Sequence, residues 1–135
     1  MSQEQNRRLA QKLLIEMSKG SDPGAISMLF SADVRFEIAG EAGLLPWLGR
    51  KTGRKAVADF VRDTRDLIER IRFDAHEILA SEERAVAVGE LASRINATGK
   101  VLNSEFALIL TFSNGDIKSF SLLEDSFALS QAARP

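Results

Sequence analysis

The sequence predicts an α+β fold in which helices come first and a curved sheet then wraps around a pocket. Amphipathic helical patterns dominate the front half, whereas residues 84–94, 103–112 and 117–123 read as three consecutive strands. Between the last two strands lies Ser113-Asn114-Gly115-Asp116, which is hairpin-turn chemistry. With 135 residues, 44% of them apolar, the chain is expected to form one domain around one hydrophobic core.

Each element has its own signal. Leu9, Leu13 and Met17, flanked by Ala10 and Leu14, recur at helical spacing and make one apolar stripe, which Gly20 closes. Asp22 is a helix N-cap with Pro23 at the first helical position, and Ile26, Leu29 and Phe30 form the inward face of a short second helix. From Val34 the period drops to two, with Val34, Phe36 and Ile38 alternating against Arg35 and Glu37, so a first strand is expected there. Residues 39–54 contain four glycines, one proline and the only tryptophan, the pattern of a loop pinned by an aromatic anchor. Over residues 55–71, Val57, Phe60, Val61, Thr64, Ile68 and Ile71 mark the longest amphipathic helix. A shorter strand is expected at 73–79, a turn at Ala97-Thr98-Gly99-Lys100, and a frayed tail at 126–135.

Charge and composition exclude several functions. The 18 basic and 19 acidic side chains are interspersed, so no field gathers nucleic acid or an anionic membrane. Absence of cysteine removes disulfides and thiolate chemistry, and a lone histidine leaves no set of zinc ligands. No metal or cofactor is expected. The first eight residues lack an apolar leader core, and the longest apolar run, residues 106–110, is too short to span a bilayer. A soluble, cytoplasmic protein is the expectation.

The element order, with Leu45-Pro46-Trp47-Leu48-Gly49 and Gly53-Arg54, then Phe112-Ser113-Asn114-Gly115-Asp116-Ile117 and Glu124-Asp125, resembles the NTF2-like superfamily. Within it, the chain is similar to the SnoaL-like branch related to ketosteroid isomerases. The resemblance implies a cone of three helices, from the N-terminal half, on a strongly curved mixed or antiparallel sheet. It does not carry over the known catalytic sets. The ketosteroid isomerase base falls at Ile38, the chain has no tyrosine for an oxyanion hole, and the Asp-Arg-Asp set of the limonene-epoxide hydrolases falls at Gly89, Leu91 and Leu122.

The candidates are therefore this chain's own. An apolar small molecule in the cone would meet Phe36, Phe60, Phe106, Phe112 and Phe120. Trp47 is either a lid that stacks on a flat ligand or a plug packed on the third helix. Glu90 and Arg94 stand in an otherwise apolar strand, either as an acid and an anion clamp or as a solvated face. Glu124 and Asp125 are adjacent, so strand alternation sends them to opposite faces. If Phe120 and Leu122 point inward, as the resemblance implies, Glu124 follows them to the rim, where desolvation would raise its pKa and suit it to general acid–base work. The alternative is a solvated strand end. His76 has no partner spaced to cooperate with it, and Arg50, Lys51, Arg54 and Lys55 lack the spacing of a phosphate loop.

Two functions follow from different classes: a SnoaL-like binding protein or enzyme working by acid–base chemistry, or an interaction module whose cone is filled by its own phenylalanines. A homodimer is expected through the outer sheet face. Ala85, Ala87, Ala107 and Ile109 are expected on strand faces opposite to Val86, Val88, Phe106 and Leu108, which makes both faces largely apolar.

Overall fold

Ser2 starts the chain's first helix with a reciprocal cap: its hydroxyl accepts from the Gln5 backbone while the Gln5 side chain reaches back to the Ser2 amide. The structure is a computed structural model and describes residues 2–135. Helix α1 (Gln3–Ser18) ends before Gly20, whose φ of 80° is the left-handed turn expected there. Asp22 caps the single turn of α2 (Pro23–Ser27) by accepting from the Ala25 amide.

Strand β1 (Phe30–Ile38) begins four residues before the alternation becomes visible, because Phe30 pairs with Ile117 and an irregularity then separates it from the regular run starting at Arg35. The expected loop contains a further strand, β2 (Gly49–Thr52), antiparallel to β1. Its glycine and charged residues suit a sheet edge, where side chains are wet and extra pairing must be discouraged. Arg50 forms an ion pair with Glu37 across the two strands.

Helix α3 (Arg54–Leu67) stops four residues short of the expected end and passes directly into β3 (Ile68–Ala80). Asn96 secures the junction: its backbone amide donates to the Leu67 carbonyl and its side chain to the Asp66 carbonyl. The remaining strands are β4 (Arg84–Ile95), β5 (Val101–Ser113) and β6 (Asp116–Leu123), in a sheet of order β2-β1-β6-β5-β4-β3 in which only β1 and β6 run parallel. Register irregularities in β3 between Arg70 and Arg72 and between Ala75 and Glu77 add residues to that strand and increase its bend.

The register of the central pair corrects the expected grouping of faces. Ala85, Ala87 and Gly89 oppose Leu110, Leu108 and Phe106, so small residues of β4 share the inner, concave face with large residues of β5. Val86, Val88, Ala107 and Ile109 lie half-buried on the outer face. The expected tail is also corrected: residues after Asp125 form α4 (Ser126–Ala133), with Asp125 as N-cap accepting from the Ala128 amide. Burial of Leu129 and Ala132, and a hydrogen bond from Thr98 Oγ1 to the Ala132 carbonyl, hold α4 against the β4–β5 turn. Among the described residues, no helix is long and apolar enough to cross a membrane.

Candidate functional site

Aromatic side chains close one half of the cone. Phe36 of β1 stacks on Phe120 of β6 with centroids 4.8 Å apart, and Phe60 of α3 packs at 5.2 Å from Phe36 and 5.8 Å from Phe120. Trp47 meets Phe60 edge-on at 6.2 Å and is only 5% exposed, so of its two expected roles it takes the plug. Phe36, Phe120 and Phe112 are likewise core. The residues expected to line a ligand site thus mostly fill the space themselves, because three elements aim large rings at the narrow β1–β6 seam; of the expected set, Phe60 reaches one open volume and Phe106 another.

The Phe60 volume lies on the other side of α3. A cavity of about 590 Å³ opens between Leu14 and Met17 of α1, Phe60 and Val61 of α3, and Arg70 and Phe73 of β3. Its size suits a small molecule. Alternation from Ile68 turns Arg70 inward, opposite Ser93 of β4, and Arg70 Nη1 donates to Ser93 Oγ at 2.7 Å. The guanidinium lies over the Phe73 ring, 5.3 Å from its centre, and Phe73 stacks on Phe106 at 4.6 Å. Glu124, half-buried, continues the inward phase of Phe120 and Leu122, but it lines a separate pocket with Phe106 and His76 and is not part of this cavity's lining.

Arg70 and Glu124 interact through space. Desolvation raises the Glu124 carboxyl above the ordinary glutamate value, and the Arg70 charge partly offsets this. Desolvation also lowers Arg70, with Glu124 opposing. Arg70 is exposed to solvent through the open cleft, and the protein atoms around it lower its guanidinium by desolvation.

The raised Glu124 pKa has a definite sign in stability. Between the unfolded and folded pKa values the native state holds the extra proton, so this group's contribution is full at low pH and is lost as pH rises through the folded value. Asp59, lowered mainly by its hydrogen bond from Lys55, works in the opposite direction. We therefore expect the stability difference between Glu124→Gln and the parent to shift in the variant's favour as pH rises above the ordinary glutamate value. Arg70→Met should move that shift to higher pH by removing the offsetting charge. Urea midpoints measured across a pH series check both.

The other candidates lie elsewhere. Glu90 and Arg94 do not face the cavity: Glu90 is on the outer face, 3.5 Å from Arg72 and 3.7 Å from His76, and Arg94 pairs with Glu69 at 3.3 Å and donates to the Gly99 carbonyl. His76 accordingly belongs to that outer cluster. Asp125 is committed to capping α4. In the basic loop, Arg54 donates to the Phe30 carbonyl and Lys55 pairs with Asp59, so those two cations serve the fold. Arg70, Phe73 and Ser93 are absent from the expected set because helical periodicity extends over Arg70; an arginine in phase with Ile68 on an inward strand face is the signal that identifies it. Among the described residues, no group of three His, Cys, Asp or Glu side chains is placed to hold a metal ion.

Comparison with known proteins agrees with this architecture. The family model of the SnoaL-like domain matches residues 12–120, and the chain belongs to that family. An NTF2-like protein from Burkholderia xenovorans LB400 superposes with a TM-score of 0.88 at 22% identity over 99% of each chain. One from Burkholderia pseudomallei K96243 gives 0.84 at 22% identity over 100% of each. A protein with a ketosteroid isomerase-like fold from Catenulispora acidiphila, solved in complex with trimethylamine, gives 0.67 at 19% identity, covering 86% of this chain and 85% of that one. No curated protein matches the chain. At these identities the structural likeness concerns the fold.

Proposed function

We propose that the protein is a SnoaL-like small-molecule enzyme that holds an apolar, carbonyl-bearing ligand in the cleft between α1, α3 and β3 and acts on it by general acid–base chemistry. The observation that carries this reading is Glu124, an inward carboxyl raised by desolvation, within electrostatic reach of Arg70 and beside stacked Phe73 and Phe106. A carboxyl raised above its ordinary value is a stronger base when ionised than an unperturbed glutamate. Arg70 supplies positive charge for an oxyanion that develops on a neighbouring carbonyl. Glu124 is the proposed proton carrier: it stands outside the cavity lining but within reach of the Arg70 charge, so the reacting end of the ligand extends past Arg70 toward it, while Leu14, Met17 and Val61 give the cleft its apolar wall.

The test is exchange of protons α to a carbonyl. Incubating a panel of flat ketones and β-keto esters in D₂O should give enzyme-dependent deuterium uptake by NMR. Glu124→Gln should lower that rate by about 10²–10⁴-fold, with little change in thermal midpoint. Absence of exchange across the panel, or equal rates for both proteins, would remove the acid–base reading.

The second reading, an interaction module, draws on the outer face. Val86, Val88, Ala107 and Ile109 are half-buried there, while Leu79 and Leu123 are 54% and 44% exposed. We propose that a second copy of the chain covers this apolar surface, as a homodimer. Light scattering at micromolar concentration should return twice the chain mass of 14.8 kDa; a monomer counts against it. This reading is compatible with chemistry in the cleft, which opens on the opposite side of the sheet.

A further inference from the structure

We propose that the natural ligand of the cleft is an amphiphilic anion, an apolar body carrying a carboxylate or equivalent oxyanion, with the anion held on Arg70. The inference rests on reading the cleft as a small-molecule site and specifies what that site selects.

The charges and donors lining the cavity carry it. Among the described residues the lining includes two guanidinium groups, Arg65 and Arg70, and no carboxylate. Arg65 is committed to the fold: Nη1 donates to the Ser21 carbonyl at 2.7 Å and Nη2 to the Met17 carbonyl at 3.2 Å, tying α3 to the end of α1. It adds positive charge without offering a free fork. The lining hydroxyls are also engaged, Ser18 Oγ donating to the Ile15 carbonyl and Thr64 Oγ1 to the Phe60 carbonyl.

Arg70 is different. A guanidinium has five N–H donors in a planar fork, and the protein engages one of them, at Ser93 Oγ. The guanidinium carbon lies over the Phe73 ring at 5.3 Å from its centre, and that contact, together with the Ser93 bond, holds the group in place. The remaining donors have no partner in the protein, and Arg70 lines a cavity whose other polar side chains are already engaged, so a planar oxyanion can accept two parallel N–H bonds there. A neutral apolar ligand would instead displace water from those donors and leave them unpaired, which is costly. The site therefore discriminates against the uncharged isostere. An anion on Arg70 also adds negative charge near Glu124 and draws a proton onto that carboxyl, so binding is coupled to proton uptake.

The experiment compares matched acids and primary amides: decanoate, 4-phenylbutyrate and naphthalene-2-carboxylate, each with its carboxamide. Titration calorimetry is run on the full chain, on Arg70→Met and on Arg70→Lys, in two buffers of different ionisation enthalpy. For at least one hydrocarbon the acid should bind about tenfold or more tightly than its amide. Arg70→Met should abolish that preference, Arg70→Lys should retain part of it, and proton uptake should accompany binding of the acid to the parent. Equal affinity for acid and amide in the parent overturns the anion assignment while leaving a small-molecule cleft. A preference that survives in Arg70→Met overturns the role of Arg70. Failure of every acid and amide to bind overturns the cleft reading and this inference with it. Should Arg70→Met fail to fold, the acid–amide ratio in the parent and in Arg70→Lys still decides.

Discussion

Replacing Phe120 by alanine is expected to lower the unfolding free energy by about 3–5 kcal/mol, the range for truncating a buried phenylalanine. Phe120 is 3% exposed and lies where three elements meet, with the rings of Phe36, Phe60 and Phe30 centred 4.8, 5.8 and 6.2 Å away. Its neighbours across the sheet are Phe36 on the parallel side and Leu110 on the antiparallel side. Collapse into the vacated volume would have to pull β1 and β6 together, which their shared backbone ladder resists. Urea unfolding followed through Trp47, itself packed on Phe60, measures the loss. Phe120→Leu should cost roughly half as much or less, since most of the volume remains. A loss below about 1 kcal/mol for the alanine variant would show that the aromatic half of the cone is loosely packed.

Gly89→Ala should be at least as disruptive for a single methyl group, at about 3 kcal/mol or more, the upper end of overpacking effects. A Cβ at this position would stand 1.8 Å from the Asp74 carbonyl oxygen, 2.8 Å from its carbonyl carbon and 3.0 Å from Ala75 Cα. All three are backbone atoms, so no rotamer change relieves the clash. The requirement is one of space: the β3 irregularity at Ala75–Glu77 brings that strand's main chain down onto β4, and only a residue without a side chain fits beneath it. Either β3 separates locally from β4 or the irregularity shifts in register, and both loosen the strand that carries Arg70. Thermal unfolding and amide exchange along β3 distinguish the two. A variant as stable as the parent would mean that the irregularity is easily displaced.

How far the sequence could be read depended on punctuation. Asn114-Gly115 announced its turn, and the structure gives both residues positive φ, 53° and 85°, as a tight hairpin demands. The boundary between α3 and β3 has no glycine, proline or asparagine, and Ile68 and Ile71 continue the helical spacing by coincidence, so periodicity alone runs a helix through it and takes Arg70 along. The final helix is announced only by Asp125, a residue whose carboxylate serves equally well at a strand end and as a helix cap. The side of Glu124 follows from alternation only once the resemblance sets Phe120 and Leu122 inward; the residues alone fit a solvated strand end as well. Glu90 and Arg94 were not legible: β4 carries alanines on one face and valines on the other, and apolar content alone cannot say which faces the core. The choice was made by residue size, the alanines lying opposite Leu108 and Leu110.

The parallel contact between β1 and β6 has a consequence for how the chain comes into being. Phe30 and Ile117 are partners although nearly the whole sheet is encoded between them. On a ribosome, β1 and its edge strand β2 emerge early and have no sheet to join until β6 has been made, since β6 is the only link between them and β5. The antiparallel β3–β4–β5 meander can form from near neighbours, whereas closing the β1 side awaits almost the last residues and incurs the entropy of a long loop. The aromatic half of the cone is therefore the late-assembling half, whereas the meander that can form first already carries the Arg70 wall of the cleft, whose other walls come from α1 and α3.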